Sequence, residues 1–197
     1  MKVIQKFRSW GAGPGSLAVL IVGLVLGVVI FGAGGGFMVY ANSEPFCATS
    51  CHEMDALKQE HKGTIHDVNR TGVRATCNDC HVPHEYIPNY FAKLGLLSDV
   101  WGHWTGSIDS KEKLEAKRYQ LARRVWTYMK ENDSRECRHC HTTAKMDPDK
   151  QTDKAKSRHE KARLEGLTCI ECHFSIAHKE PEGPGPQELF STKAAQK

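Results

Sequence analysis

Eight cysteines stand in four close pairs, and a histidine directly follows the second cysteine of every pair. Cys77-Asn-Asp-Cys80-His81, Cys137-Arg-His-Cys140-His141 and Cys169-Ile-Glu-Cys172-His173 keep two residues between the thiols, whereas Cys47-Ala-Thr-Ser-Cys51-His52 has three. Cys-x-x-Cys-His is the spacing of covalent haem attachment. Two thiols add across the porphyrin vinyl groups, and the adjacent imidazole sits under the iron as proximal ligand. One match could be chance; three in one chain are not. A structural zinc site needs four uncommitted ligands in a tetrahedral set, and neither zinc nor a disulfide framework explains a histidine at the end of every pair. The chain is therefore read as carrying four covalently bound haem c groups, on Cys47 and Cys51, Cys77 and Cys80, Cys137 and Cys140, and Cys169 and Cys172.

This constrains the fold more than any other feature. The mean hydropathy is −0.50 in spite of a long apolar run near the start, so the remainder is very polar and has few aliphatic side chains for a core. Four large, flat, apolar haems supply that interior. The expected fold is mainly α, with one N-terminal transmembrane helix and a haem-packed multihaem cytochrome c domain. The expected divisions are residues 1–16 as a cytoplasmic N-terminus, 17–41 as the anchor, 42–180 as a periplasmic domain, and 181–197, rich in Pro, Gly and Lys, as a flexible tail.

Leu17 to Tyr40 carries no charge and is long enough as a helix to cross a hydrocarbon layer of about 30 Å. A cleaved signal peptide is the competing reading, but its apolar core is normally shorter. Lys2, Lys6 and Arg8 precede the run, and every acidic residue lies at or after Glu44. The positive-inside tendency places the following domain on the outer face of a bacterial cytoplasmic membrane. Gly23 and Gly27, and Gly32 and Gly36, have the GxxxG spacing of close helix pairs, which suggests a homo-oligomer through this helix. Beyond it basic and acidic residues nearly balance, and no basic tract of the nucleic-acid-binding kind is present.

The attachment motifs begin at residues 47, 77, 137 and 169. Two close pairs flank a longer insert, which suggests two pseudo-repeated dihaem lobes. His66 precedes Cys77 by 11 residues and His159 precedes Cys169 by 10, so repeat logic favours both as distal ligands. His178, five residues after His173, is a third candidate, while His61 and His103 stay open and His84 and His139 read as ordinary residues. Between the lobes, residues 110–132 place Leu114, Leu121, Val125 and Tyr128 at helical spacing, an amphipathic helix packing across the haem pairs. The extra residue in the first motif changes how the peptide arches over the ring, so either His52 or Met54 can be the first haem's ligand, thioether and imidazole both being axial ligands.

With the anchor and four attachment sites in place, the chain resembles the NapC/NirT family of tetrahaem quinol dehydrogenases. The matching phrases are Cys51-His-Glu-Met54, His66, Gly72-Val-Arg-Ala75, Cys80-His-Val-Pro-His84, Glu136-Cys137, His159, Gly166 and Ile176-Ala-His178. The resemblance implies that Met54 is a candidate axial ligand of haem 1, that His81, His141 and His173 are proximal, and that His66, His159 and His178 are distal. It further implies a quinol pocket beside haem 1 at the membrane surface, with Lys93 and Asp99 at or near the quinol-site positions. The three-residue gap between Cys47 and Cys51 departs from the family motif.

Quinol oxidation releases two protons with its two electrons, so the pocket needs a proton acceptor. Lys93 and Asp99 lie in a stretch containing Tyr90, Phe91, Trp101 and Trp104, aromatic residues of the type that gathers at membrane interfaces. The expected function is electron transfer between the quinone pool and a periplasmic redox partner, as a quinol dehydrogenase feeding a terminal reductase or small cytochrome. A quinone reductase fed by a periplasmic dehydrogenase, such as a hydroxylamine-oxidising one, has the same build. A plain anchored relay with no quinone site is the third reading.

Overall fold

The computed structural model describes residues 14–195, so most of the expected N-terminal segment 1–16 lies outside the described residues. The chain divides into two units, 1–41 and 42–197. In the first, helix α1 (Pro14–Ala41) opens on a proline, which costs no hydrogen bond at a helix start, and runs for 28 residues. At 1.5 Å per residue it is about 40 Å long. It is apolar on every side, and its Leu, Val, Ile and Phe side chains are exposed. That is the character of a helix whose solvent is lipid.

The second unit consists of helices and turns, with no strand among the described residues. In chain order these are α2 (Glu44–Thr49), α3 (Asp55–His61), α4 (Cys77–His81), α5 (Tyr86–Gly95), α6 (Leu97–Trp104), α7 (Lys111–Glu131), α8 (Arg135–Cys140), α9 (Asp153–Glu165), α10 (Cys169–Cys172) and α11 (Pro186–Ala195). The short helices carry the cysteines, and side chains dictate where they start. Before α4, the Thr76 N–H and hydroxyl both donate to Asp79 Oδ2, at 2.7 Å each. Before α10, the Thr168 N–H and hydroxyl donate to Glu171 Oε2 at 2.7 and 3.0 Å. Both are capping boxes that begin the turn on the first cysteine of the motif.

The amphipathic helix expected over 110–132 is α7. Ser110 caps it by accepting from the Lys113 N–H, and Leu114, Arg118, Trp126 and Met129 form its buried stripe. Trp126 and Met129 meet Ile170 of α10 and Leu189 of α11, with Tyr119, Phe174 and Phe190 packed against them. Each such buried side chain contributes roughly 2 kcal/mol. This cluster sits beside the fourth motif, Ile170 being one of the two residues between Cys169 and Cys172.

The stretch read as a loose tail contains α11, and Leu189 closes the core cluster. Its Pro, Gly and Lys content concealed a turn rather than disorder. Gly183 adopts φ +137°, and a side chain there would meet the Tyr119 ring at 2.7–3.0 Å. Only glycine lets the chain pass over that ring. The Tyr119 hydroxyl then donates to the Pro184 carbonyl at 3.1 Å.

Candidate functional site

No disulfide joins any of the eight cysteines, and their helices adjoin one another in motif order. Helices α2 and α4 pack together, as do α4 and α8. The electrostatics follow the same chain of neighbours. Burial, then Cys47, raises the Cys77 thiol. Burial, then Cys137, raises Cys80 to about 11. Burial, then Cys169, raises Cys137. The four attachment turns therefore form a row, first beside second beside third beside fourth.

The turns are tied by polar side chains. Arg74 binds Glu44 of α2 in a two-pronged ion pair and Asp67 at 2.6 Å, holding the loop before the second motif against the helix of the first. The hydrogen bonds to Arg74 keep Glu44 below the usual carboxylate range against the opposing effect of burial. Arg118, from α7, is buried and grips Glu60 of α3 with two nitrogens at 2.9 and 2.6 Å. Glu60 also accepts from the Lys179 N–H at 2.9 Å. This anchors the strip bearing His178 to α3.

Each attachment histidine faces a second imidazole. The ring centres of His81 and His178 are 6.1 Å apart, those of His141 and His66 6.2 Å, and those of His173 and His159 5.9 Å. With metal–nitrogen bonds of about 2 Å and ~1 Å more from nitrogen to ring centre, two imidazoles sharing one iron stand about 6 Å apart. Burial also favours the neutral, metal-binding form of four of these rings. Desolvation, then the facing His141, pushes His66 down, and desolvation, then His159, does the same to His173. His178 is lowered chiefly by burial. His81, crowded by the surrounding chain although its ring keeps an accessible face, is pushed down to about 4 by desolvation and then by His178. Gln151 orients His159, whose Nδ1 donates to Oε1 at 2.6 Å, the usual second contact of a metal-binding imidazole. Eight thiols and these facing rings fit four covalently held haems.

Repeat logic chose His66 and His159, and both face an attachment histidine, but in different ways. His159 faces the histidine of its own motif, whereas His66 faces His141 of the third motif. The stacked rings of His84 and His139, 3.7 Å apart, belong to none of these pairs. His61 is buried at the end of α3.

The first motif opens on α2, where Ser43 accepts from the Phe46 N–H at 3.3 Å. Cys47 is in the helix, but Cys51 has extended backbone and His52–Met54 form a separate 3-10 turn. Met54 is half-buried where this turn joins α3. Lys93 on α5 lies 6.0 Å from the Phe46 ring centre, and burial lowers its pKa although Cys47 opposes this. Asp99 on α6 is exposed and close enough to Cys51 to raise its thiol, behind burial and Glu53. The two residues expected at the quinol site thus flank the two cysteines of the first motif. Around them Ile87, Phe91, Leu97, Trp101 and Trp104 are exposed.

One further group was not singled out from the sequence. Glu53, only 5 % exposed, accepts from His103 Nδ1 at 2.8 Å, and His103 lies 5.8 Å from His52, ring centre to ring centre. The only signal available was arithmetic, namely that His103 was one of two histidines left without an assignment.

These features define a c-type cytochrome of electron transport, a haem-c protein with an N-terminal helix of membrane-spanning character. It belongs to the NapC/NirT cytochrome c family, whose N-terminal region matches residues 12–183. The chain is 50% identical over 166 residues to the denitrification system component NirT of Stutzerimonas stutzeri, covering 84% of this chain and 82% of that protein. It is 43% identical over 184 residues to the cytochrome c-type protein NapC of Escherichia coli K12, covering 91% and 92%. A protein described as a tetraheme c-type cytochrome in Allochromatium vinosum is 44% identical over 181 residues, covering 92% and 98%. No solved structure matches the chain.

Proposed function

We propose that this chain is a tetrahaem quinol dehydrogenase of the periplasmic membrane face, taking electrons from membrane quinol and passing them along its row of sites to a periplasmic reductase or small cytochrome. The observation that carries this reading is the flanking of the first motif by Lys93 and Asp99 on an aromatic-rich helix pair. When bound, the haems supply reversible one-electron oxidation and reduction at each site. The protein's own groups do the rest.

His81 and His178, His141 and His66, and His173 and His159 would hold three irons between paired imidazoles. Six-coordinate, low-spin centres change charge with little rearrangement of their ligands. The exposed aromatic residues of α5 and α6 suit the boundary between headgroups and acyl chains, where a quinol headgroup resides. Lys93, partly desolvated beside the Phe46 ring, would donate a hydrogen bond to a quinol or quinone oxygen. Asp99, open to solvent, would accept a released proton and pass it to water.

Rapid mixing of the oxidised protein with quinols in detergent micelles tests the proposal. Haem reduction on mixing, blocked by quinone-site analogues, is expected. Haem oxidation by quinone together with reduction by a periplasmic dehydrogenase would favour the reverse direction. No exchange in either direction would leave a plain relay.

A further inference from the structure

The fourth pair of rings identifies a ligand that the sequence left open. We propose that the first haem is held between His52 and His103 and not by Met54, with Glu53 fixing the orientation of His103. This rests on the tetrahaem reading above and extends it to the one site with a stretched motif.

Four observations converge. The 5.8 Å between the His52 and His103 ring centres matches the 5.9–6.2 Å of the three pairs built on regular motifs. The additional residue between Cys47 and Cys51 is absorbed where α2 stops, in the extended backbone at Cys51 (φ −123°, ψ 120°). His52 then opens a fresh 3-10 turn, whereas His81 closes its helix and His141 and His173 directly follow theirs, yet the ring separation is kept. His103 also has the second contact expected of a metal-bound imidazole. Its Nδ1 donates to the buried Glu53 carboxylate at 2.8 Å, leaving the Nε2 lone pair for iron, as Gln151 does for His159. Finally, one ligand atom from each of His52, Glu53 and His103 lies within 4.8 Å of the other two, and the carboxylate that holds His103 also stands 3.7 Å from His52 Nε2, so all three side chains gather at one place.

A further consequence concerns Asp99. It lies one helical turn before His103 on α6, on the same face. With His103 as the facing imidazole, Asp99 would serve the proton chemistry at the edge of the site. The first centre is then of the same bis-imidazole type as the other three.

The ring planes make this specific. The His52–His103 planes cross at 71° and the His66–His141 planes at 81°, against 40° for His81–His178 and 44° for His159–His173. Perpendicular imidazoles donate almost equally to both iron π orbitals and bring them close in energy, which makes the low-spin signal strongly anisotropic. Two such signals and two rhombic ones are expected.

The test uses the full-length protein purified in detergent. Haem counting by pyridine haemochromogen comes first. Four haems per chain are expected, and three haems with one non-haem metal would overturn the tetrahaem reading itself. Near-infrared magnetic circular dichroism of the wild type should show bis-imidazole charge-transfer bands only. A thioether–imidazole band, lost in Met54→Leu, would overturn the pairing of His52 with His103 and leave the haem count intact. In His103→Ala one haem in four should become high-spin and return to low-spin on adding imidazole, while Met54→Leu keeps the wild-type spectrum. Four unaltered low-spin haems in His103→Ala would also overturn it. Glu53→Gln should keep four low-spin haems and raise the midpoint potential of one, since a neutral acceptor polarises the His103 N–H less; no change in any potential would remove Glu53 from the assignment.

Discussion

The backbone N–H of Ile170 donates to Ser134 Oγ at 3.1 Å, and Ser134 has no solvent exposure at all. Ser134 is the residue before α8 and stands in the left-handed region at φ 50°, while Ile170 lies inside the fourth motif. One hydroxyl therefore joins the third attachment turn to the fourth. Ser134→Ala leaves a buried N–H without its partner and should cost about 1–3 kcal/mol, read as a lower thermal midpoint with all four haems attached.

Arg118 joins Glu115 of its own helix α7 to Glu60 of α3, with side-chain nitrogen–oxygen distances of 2.5–2.9 Å. Removing the guanidinium leaves two carboxylates facing each other. A fully buried pair broken in this way loses about 3–5 kcal/mol; because both glutamates keep some solvent contact, Arg118→Ala should lose about 2 kcal/mol. Glu60→Ala frees the Lys179 amide and with it the strip bearing His178, so its optical spectrum should change at one haem. A spectrum identical to wild type would show that His178 is held in place without Glu60.

Glu171 carries a pH dependence whose sign can be worked out. Burial pushes its carboxyl up, but the Lys130 ion pair at 2.6 Å and the two Thr168 bonds outweigh this, and the folded-state pKa is lowered. An unfolded chain then binds the proton more readily, so the stabilisation is present above the ordinary carboxylate pKa and is lost as the pH falls through the depressed value. Glu171→Gln should be less stable at neutral pH and should lose less stability on acidification below about pH 4.3. Thermal melts across that range would show two converging curves; parallel curves would exclude Glu171 as the source.

Asp99→Asn should slow quinol-dependent haem reduction roughly 100-fold or more, on the scale of a lost proton acceptor, with haem content and spectra unaltered. Lys93→Gln should weaken quinol binding more than it slows the reaction, since its role there is a hydrogen bond. An unchanged rate in Asp99→Asn assigns the proton to another group.

Local chemistry was legible in the sequence and long-range pairing was not. The attachment motifs, the apolar helix and the helix α7 are written in neighbouring residues, but of the face expected for α7 only Leu114 is buried, Tyr128 being exposed and Trp126 and Met129 taking the core positions. A repeat argument singled out His66 and His159, and each ring faces an attachment histidine, yet that argument cannot say that His66 faces His141 rather than His81, because the partner is chosen by how α4 and α8 pack. His103 carried no pattern, since its meaning lies in a carboxylate fifty residues earlier in the chain. Helix α11 was hidden by turn-forming residues before it, and its role depends on Leu189 finding Trp126.

The two halves of this domain exchange histidines. His66, from before the long helix α7, stands opposite His141 beyond it, while His178, near the far end, returns to face His81. The halves are thus clasped in a reciprocal loan, a domain swap within a single chain. On the ligation proposed above, neither half would be excised as a working dihaem unit, and a chain cut in the loop before α7 should regain its centres only when both fragments are present together. The chain before α7 and the chain beyond it are joined by these facing rings.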